Sequence, residues 1–260
     1  MKNKVLMILC DGMRPDAVLK CGHPFAEKLT SISCYNPHAQ TVFPSWTLPC
    51  HMSLFHSVDP SEHGVTTNVF VPGERKGLFE QLRDCSKSTS IFYSWGELKD
   101  LYDPYAVCYS HFVSEEYFPH GKVTELLEED CEKFINEYNP DFAFLYLETT
   151  DSIGHESGWG SEEYYKATHH SFGIIEKIMS NIPEDYSVIV LADHGGHDHT
   201  HGTADPVDMT IPLFIKTDFE LDEEKFEKAN IIDIAPTICD IIGAEPSKKW
   251  KGISLLKKCK

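Results

Sequence analysis

The segment Asp193-His194-Gly195-Gly196-His197-Asp198-His199-Thr200-His201-Gly202 brings four histidines and two aspartates together directly after the apolar run 188–192. Imidazole with carboxylate suits zinc or another borderline divalent ion, and a loop at the carboxyl end of a parallel strand is where α/β proteins place their chemistry. The competing reading is a solvated polar loop or an adventitious surface site, and other strand ends weigh against it. Asp11 follows the apolar run 5–10, and Asp151 with His155 follows the run 142–147. Together with Asp193, His194 and His201 these residues suffice for two three-residue metal sites with open positions, as a catalytic zinc requires. Two ions in such a site can clamp the attacking and leaving oxygens of a displacement at phosphorus. A nucleophile is available in Thr41-Val42-Phe43-Pro44-Ser45-Trp46-Thr47-Leu48-Pro49-Cys50-His51. Pro49 fits the first turn of a helix running through Met52, Leu54 and Phe55, which puts Thr47 where the dipole and free N–H groups favour an anion. On spacing alone, a helix cap is the preferred account of Thr47.

The elements that must hold these residues are short continuous apolar runs at 5–10, 90–93, 142–147, 188–192 and 211–215, the pattern of buried parallel strands. Between them, Leu78, Phe79 and Leu82 share one helical face. Val123, Leu126, Leu127, Cys131, Phe134 and Ile135 share another, and Tyr164, Tyr165, Ala167, Phe172, Ile175 and Ile178 a third. Strands alternating with helices predict an α/β fold, a mostly parallel central sheet with helices on both faces. Residues 231–242 read as a final amphipathic helix stopped by Gly243. One catalytic domain over 1–260 is expected, with an excursion at about 69–120 whose Phe70, Pro72, Tyr93, Trp95, Tyr102, Pro104 and Tyr105 are available to line a substrate pocket.

At 260 residues and 41% hydrophobic content the chain can bury one substantial core. A formal charge of -18, with only 23 Lys and Arg, argues against binding a nucleic-acid duplex. An anionic substrate must therefore be attracted locally, by bound cations. Nine cysteines spread along the chain, with no Cys-x-x-Cys pair, fit reduced thiols and a cytoplasmic setting. The start has an apolar stretch of only about six residues, below the ~7–15 of a signal peptide, and no run approaches the ~20 needed to span a bilayer, so no membrane partner is expected.

Six segments, in order, resemble a known family. These are Asp11-Gly-Met-Arg-Pro-Asp16, Trp46-Thr47-Leu-Pro-Cys-His51, His63-Gly-Val-Thr-Thr-Asn68, Asp151-Ser-Ile-Gly-His155, Asp193-His194-Gly195 and His201-Gly-Thr203. The set is similar to the type I phosphodiesterase/nucleotide pyrophosphatase branch of the alkaline phosphatase superfamily, from residue 5 to about 255. The resemblance implies an alkaline phosphatase-like fold and a metal-dependent hydrolase of small phosphate diesters. It implies Thr47 as the nucleophile that forms a phosphothreonine intermediate. Asp11, Asp193 and His194 would hold the metal that activates Thr47, while Asp151, His155 and His201 would hold the second, which delivers water. Asn68 would donate a hydrogen bond to a non-bridging phosphate oxygen. Two divalent ions are expected, Zn2+ first, with Mn2+ or Fe compatible at one site. His197 and His199 compete with His201 for the third ligand position, and His201 is preferred for its His-Gly-Thr context. His51 and His63 read as hydrogen-bonding supports of the nucleophile turn. Because ligation needs neutral imidazoles, activity is expected to fall as pH drops below the ordinary His range near ~6.5. Pro236-Thr237 and 252–255 resemble the family's C-terminal packing segment and are given no catalytic role.

Within the superfamily, no Cys/Ser-x-Pro-x-Arg pentad supports a sulfatase, and the length leaves no room for a phosphomutase cap. A phosphomonoesterase or phosphonate hydrolase is the alternative, with Arg14 and Lys99 the available extra cations. A zinc-binding scaffold is the non-enzymatic alternative, and it leaves Thr47 and Asn68 without a purpose.

Overall fold

The computed structural model describes residues 3–69, 71 and 76–257. One sheet of seven strands carries the fold: β1 (Lys4–Cys10), β2 (Cys34–Gln40), β3 (Thr89–Tyr93), β4 (Tyr109–Phe112), β5 (Phe142–Leu147), β6 (Tyr186–Leu191) and β7 (Thr210–Lys216), in the order β2-β7-β6-β1-β5-β3-β4. Every residue of β3, β5 and β6 is buried, because helices cover both faces and leave no solvated side to alternate towards. The helices Thr47–His56, Leu78–Asp84 and Ile234–Ile242 pack together in one group. Pro15–Lys20, Pro24–Ile32, His120–Tyr138, Thr149–Ser157 and Glu162–Asn181 form the other. Among the described residues no helix is long and apolar enough to cross a membrane.

Two expectations need correction. The run 211–215 is a buried strand, but β7 is antiparallel to both β6 and β2. An apolar run records burial on two faces and says nothing about direction. The strand β2 was hidden in Cys34-Tyr-Asn-Pro-His-Ala-Gln40, which has neither alternation nor an apolar run. At the sheet edge this sequence is tolerated: Pro37 lacks an N–H, and the register with β7 shifts between Asn36 and Ala39 around it. The C-terminal segment packs as expected. Thr237 Oγ1 donates to Asp233 O at 2.6 Å and accepts from Leu255 N at 2.9 Å.

Six strands run the same way, so β6, β1 and β5, adjacent at the sheet centre, release their chains at one edge. Asp193, Asp11 and Asp151 come from these three exits. Gly12 lets the exit from β1 turn: its φ is +64°, and its N–H donates to Asp193 Oδ1 at 3.2 Å. A Cβ there would stand 3.0 Å from Asp151 Oδ1, so any side chain would crowd the carboxylates as well as strain the backbone.

The loop after β6 is organised by Asp208, a residue that no sequence motif singles out. Fully buried, it accepts from His197 Nδ1 at 2.8 Å, Thr203 N at 2.9 Å and Thr203 Oγ1 at 2.7 Å, while its carbonyl accepts from Gly195 N at 2.8 Å. Burial would raise the Asp208 carboxyl, but the bonds from His197 and Thr203 outweigh it and hold it below the ordinary range. The same contact raises His197. Asp208 therefore stabilises the fold above the ordinary carboxylate range and loses that contribution as pH falls through its lowered value. His197 contributes fully below the ordinary imidazole range and loses it as pH rises through its raised value. Replacing Asp208 by Ala is expected to lower stability by about 2–3 kcal/mol in urea titrations, the cost of unpairing charged, buried hydrogen bonds. The deficit should shrink above the imidazole range, and an unchanged midpoint at neutral pH would contradict this account of the loop.

Candidate active site

Two groups of potential ligands meet at the carboxyl edge. Asp11, Asp193 and His194 are all buried, and one ligand atom from each lies within 4.8 Å of the others; Asp151, His155 and His201 do the same. His194 Nε2 is 3.2 Å from Asp11 Oδ1 and 3.4 Å from Asp193 Oδ2. In the second group Asp151 lies 3.5 Å from His155 Nε2 and 3.7 Å from His201 Nε2. The rings of His194 and His201 stack at 3.8 Å and join the groups.

All three imidazoles are oriented alike. Each Nδ1 sits on a main-chain carbonyl, His194 on Gly195 at 2.8 Å, His155 on His199 at 2.9 Å and His201 on Ser45 at 2.9 Å. That contact fixes the tautomer and leaves the Nε2 lone pair for a cation. Three buried carboxylate oxygens, Asp11 Oδ1, Asp151 Oδ1 and Asp193 Oδ2, have no hydrogen-bond partner. Burial and the Asp11 charge push the Asp151 and Asp193 carboxyls well above their usual range. Burial alone would depress His194, but Asp193, Asp11 and Asp151 reverse this and lift it to about 10. Crowded anions, unpartnered oxygens and aligned Nε2 atoms are what a pair of divalent cations would satisfy, so the donor set fits them. His201 departs from the expected titration range: burial, then the charge of His194, lowers it to about 3, and it stays neutral far below pH 6.5.

Thr47 occupies the first position of the buried helix Thr47–His56, and Trp46 is the N-cap with no side-chain bond, so Thr47 is no cap. Its Oγ1 lies 3.2 Å from His194 Nε2. The helix start offers fewer donors than its dipole suggested. Leu48 N donates to Asn68 Oδ1 at 2.9 Å, and Pro49 has no N–H. That bond turns the Asn68 amide so that its Nδ2 is the end left to donate. His51 is fully buried beneath this turn, with Nδ1 2.9 Å from Thr47 O and 3.5 Å from Asp193 Oδ2. His63 lies one step away, 3.0 Å from Ser53 Oγ. His197 is committed to Asp208, and exposed His199 places Nδ1 on His155 O at 3.0 Å; neither enters the two ligand groups.

A cavity of about 220 Å³ opens over Thr47, lined also by Asp11, Asn68, Asp151, His155 and His201, with Trp46, Trp95, Glu115, Tyr146, Glu148 and Ser152 completing its wall. From the 69–120 stretch it takes Trp95 and Glu115. Tyr102 and Pro104 line a separate cavity, Tyr105 is exposed, and Phe70 and Pro72 lie outside the described residues. Arg14 and Lys99 are absent from the wall: Arg14 pairs with Asp16 at 2.8 Å and reaches Gly196 O at 3.4 Å, and Lys99 pairs with Asp100 at 3.1 Å. Two supports escaped the sequence reading. Tyr146, hidden inside an apolar strand run, donates its hydroxyl to Asp11 Oδ2. Trp159 donates Nε1 to Gly12 O at 2.9 Å, and its indole packs so closely on Gly154 and Gly196 that a Cβ at either would overlap it.

The chain is similar in sequence and fold to several known proteins. Human ectonucleotide pyrophosphatase/phosphodiesterase family member 1 is 25% identical over 223 residues, 73% of this chain and 23% of its own length. The bis(5'-adenosyl)-triphosphatase of Pongo abelii is 24% identical over 214 residues, 74% of this chain and 47% of its own. The chain thus spans from about a quarter to about half of these relatives. The fold matches an inactive variant of murine ectonucleotide pyrophosphatase/phosphodiesterase 5 solved with AMP, with a TM-score of 0.77, 14% identity and coverage of 98% of this chain and 100% of that one. The family model described as type I phosphodiesterase/nucleotide pyrophosphatase matches residues 5–107 and 99–259, and the chain belongs to that family.

Proposed function

We propose that this protein is a metal-dependent hydrolase of small phosphate diesters, with Thr47 as its nucleophile. The observation that carries the reading is a hydroxyl at a helix start, 3.2 Å from His194 Nε2 in one of two aspartate–histidine groups, in which one buried oxygen of each aspartate lacks a hydrogen-bond partner. Asp11, Asp193 and His194 would hold one divalent ion and Asp151, His155 and His201 a second, zinc being the first choice for this donor set. When bound, such ions polarise phosphate oxygens and make a hydroxyl or water nucleophilic at neutral pH.

The chain's own residues do the rest. Thr47 Oγ1 forms a bond to phosphorus as one ester oxygen leaves with a proton as the alcohol, giving a phosphothreonine diester. Water then attacks that phosphorus, the Thr47 oxygen leaves and regains its proton, and a phosphate monoester is released. Asn68, its Oδ1 held by Leu48 N, donates through Nδ2 to a non-bridging oxygen as charge builds there. His51 fixes the Thr47 carbonyl and so the helix turn that presents the hydroxyl. A diester carries one negative charge, and the described cavity wall has no Lys or Arg to meet the second charge of a monoester. Among the described residues the phosphomonoesterase alternative therefore lacks its cation. A scaffold that only held metal would leave Thr47 and Asn68 unexplained. The 69–120 stretch contributes substrate wall, within one catalytic domain. The described cysteines are all free, in keeping with a reducing, cytoplasmic setting.

Three outcomes test the reading. Chelation is expected to abolish hydrolysis of bis(p-nitrophenyl) phosphate, which should be preferred over p-nitrophenyl phosphate; a preferred monoester contradicts the assignment. Thr47→Ala should retain metal in elemental analysis yet lose at least about a thousandfold in kcat, whereas Asp193→Ala should lose metal as well. Retained turnover in Thr47→Ala removes the nucleophile. Third, with His194 raised to about 10 in the metal-free site, metal loading must displace protons. Calorimetry in buffers of different ionisation enthalpy should register their release at neutral pH, with affinity falling as pH falls. A buffer-independent heat excludes the proposed ligands.

A further inference from the structure

We infer that the protein forms a two-fold dimer in which the edge strand β4 pairs antiparallel with β4 of a second copy, continuing the sheet from one chain into the other. The inference is independent of the reaction at Thr47. The two edges of the sheet differ in how they meet solvent. On β2, Pro37 and the register shift between Asn36 and Ala39 spoil the ladder for a further strand. On β4 the sequence is Tyr109-Ser110-His111-Phe112, with no proline or lysine, and among the described residues only β3 pairs with it. The main-chain groups on its outer side are therefore open to another strand.

Both faces beside this edge are incompletely covered. Tyr109 and His111 turn towards the helix His120–Tyr138, where Tyr109 Oη donates to Asp130 Oδ2 at 2.9 Å and His111 Nδ1 lies 2.7 Å from the same oxygen. Beside them opens a groove of about 640 Å³, walled by Phe112, Val113, Tyr117, Phe118 and Leu126. On the opposite face Ser110 Oγ meets Tyr102 Oη at 2.8 Å, next to a second groove of about 580 Å³. Phe112, Tyr117 and Phe118 are 46%, 79% and 45% exposed, so aromatic surface flanks the open backbone.

Charge selects a second copy as the occupant. A two-fold axis normal to the sheet at Ser110 makes the paired strands antiparallel and keeps both His120–Tyr138 helices on one face, also antiparallel. Asp130 stands level with Tyr109 and His111, and hence with the axis. Glu129 and Lys133, on either side of that level, are exposed and line the groove. Neither forms an ion pair among the described residues, and Lys177, whose charge Glu129 feels, is held by Glu128 at 2.5 Å. The two-fold turns Glu129 of each copy towards Lys133 of the other, so the patch is complementary to itself. The net charge of -18 opposes association only weakly at contact distances of opposite charges, because repulsion between the remote charges is screened beyond about 8 Å at physiological ionic strength.

Sedimentation equilibrium over a concentration series is expected to show the chain passing from monomer to dimer, and hydrogen exchange at residues 109–112 should slow over the same range. Lys133→Glu and Glu129→Lys, both at exposed positions, should each weaken the dimer at least about tenfold in Kd, since like charges then face each other twice per dimer. An equimolar mixture of the two variants should recover the lost affinity as a heterodimer. A chain that stays monomeric at its highest soluble concentration overturns the inference. A dimer that neither charge change weakens, that the mixture does not recover, or that leaves exchange at 109–112 unaltered uses another surface and overturns it as well.

Discussion

Three aspartates leaving three adjacent strands at one buried edge set the terms for the rest of this molecule. Neighbouring strands lie about 4.8 Å apart, so Asp193, Asp11 and Asp151 are brought together by the sheet itself. At such separations, out of water, like charges repel strongly, and the protein supplies no Lys or Arg among the described residues to offset them. His194 can neutralise only part of the charge. The features around the edge follow from this constraint: a glycine where any side chain would crowd the carboxylates, Tyr146 donating to Asp11, and imidazoles turned so that Nε2 faces inward. The apposition costs stability in the bare protein and creates affinity for cations, and the two are the same free energy seen from either side.

The hydroxyl beside this charge is held as firmly as the carboxylates and imidazoles. All ten residues of Thr47–His56 are buried, so the helix cannot pivot without disturbing the core. Ser45, just before it, donates Oγ to Thr203 O at 2.8 Å and lends its carbonyl to His201, tying the Thr47 turn to the loop after β6. Asn68 closes the other side through Leu48 N. Movement of one segment is therefore felt by the others, which is how fixed dipoles avoid reorganising during a reaction.

Much of this arrangement was legible in the chain because its signals are local. Each aspartate or aspartate–histidine cluster follows a continuous apolar run, and the run predicts both the strand and the edge at which those side chains emerge. Where the reading missed, the deciding information lay elsewhere in space. The strand β2 looks like a loop because edge position, not composition, permits Pro37 within a ladder. The direction of β7 is fixed by its neighbours and leaves no trace in an Ile-Pro-Leu-Phe-Ile run. Asp208 resembles turn material until the loop folds back and three donors converge on it. Tyr146 reads as one more apolar residue because its hydroxyl finds a partner 135 positions away.

The anchors of the imidazoles of His194, His155 and His201 are carbonyl groups of Gly195, His199 and Ser45. A carbonyl belongs to the main chain and survives any single side-chain replacement. An alanine scan would therefore pass over the groups that aim these imidazoles and credit the imidazoles alone. Drift in the surrounding sequence cannot readily re-aim them either. Only a change in the path of the backbone, by an inserted or deleted residue or a lost left-handed glycine, reaches these contacts, so loop length around residues 45 and 195–202 is under tighter restraint than loop composition.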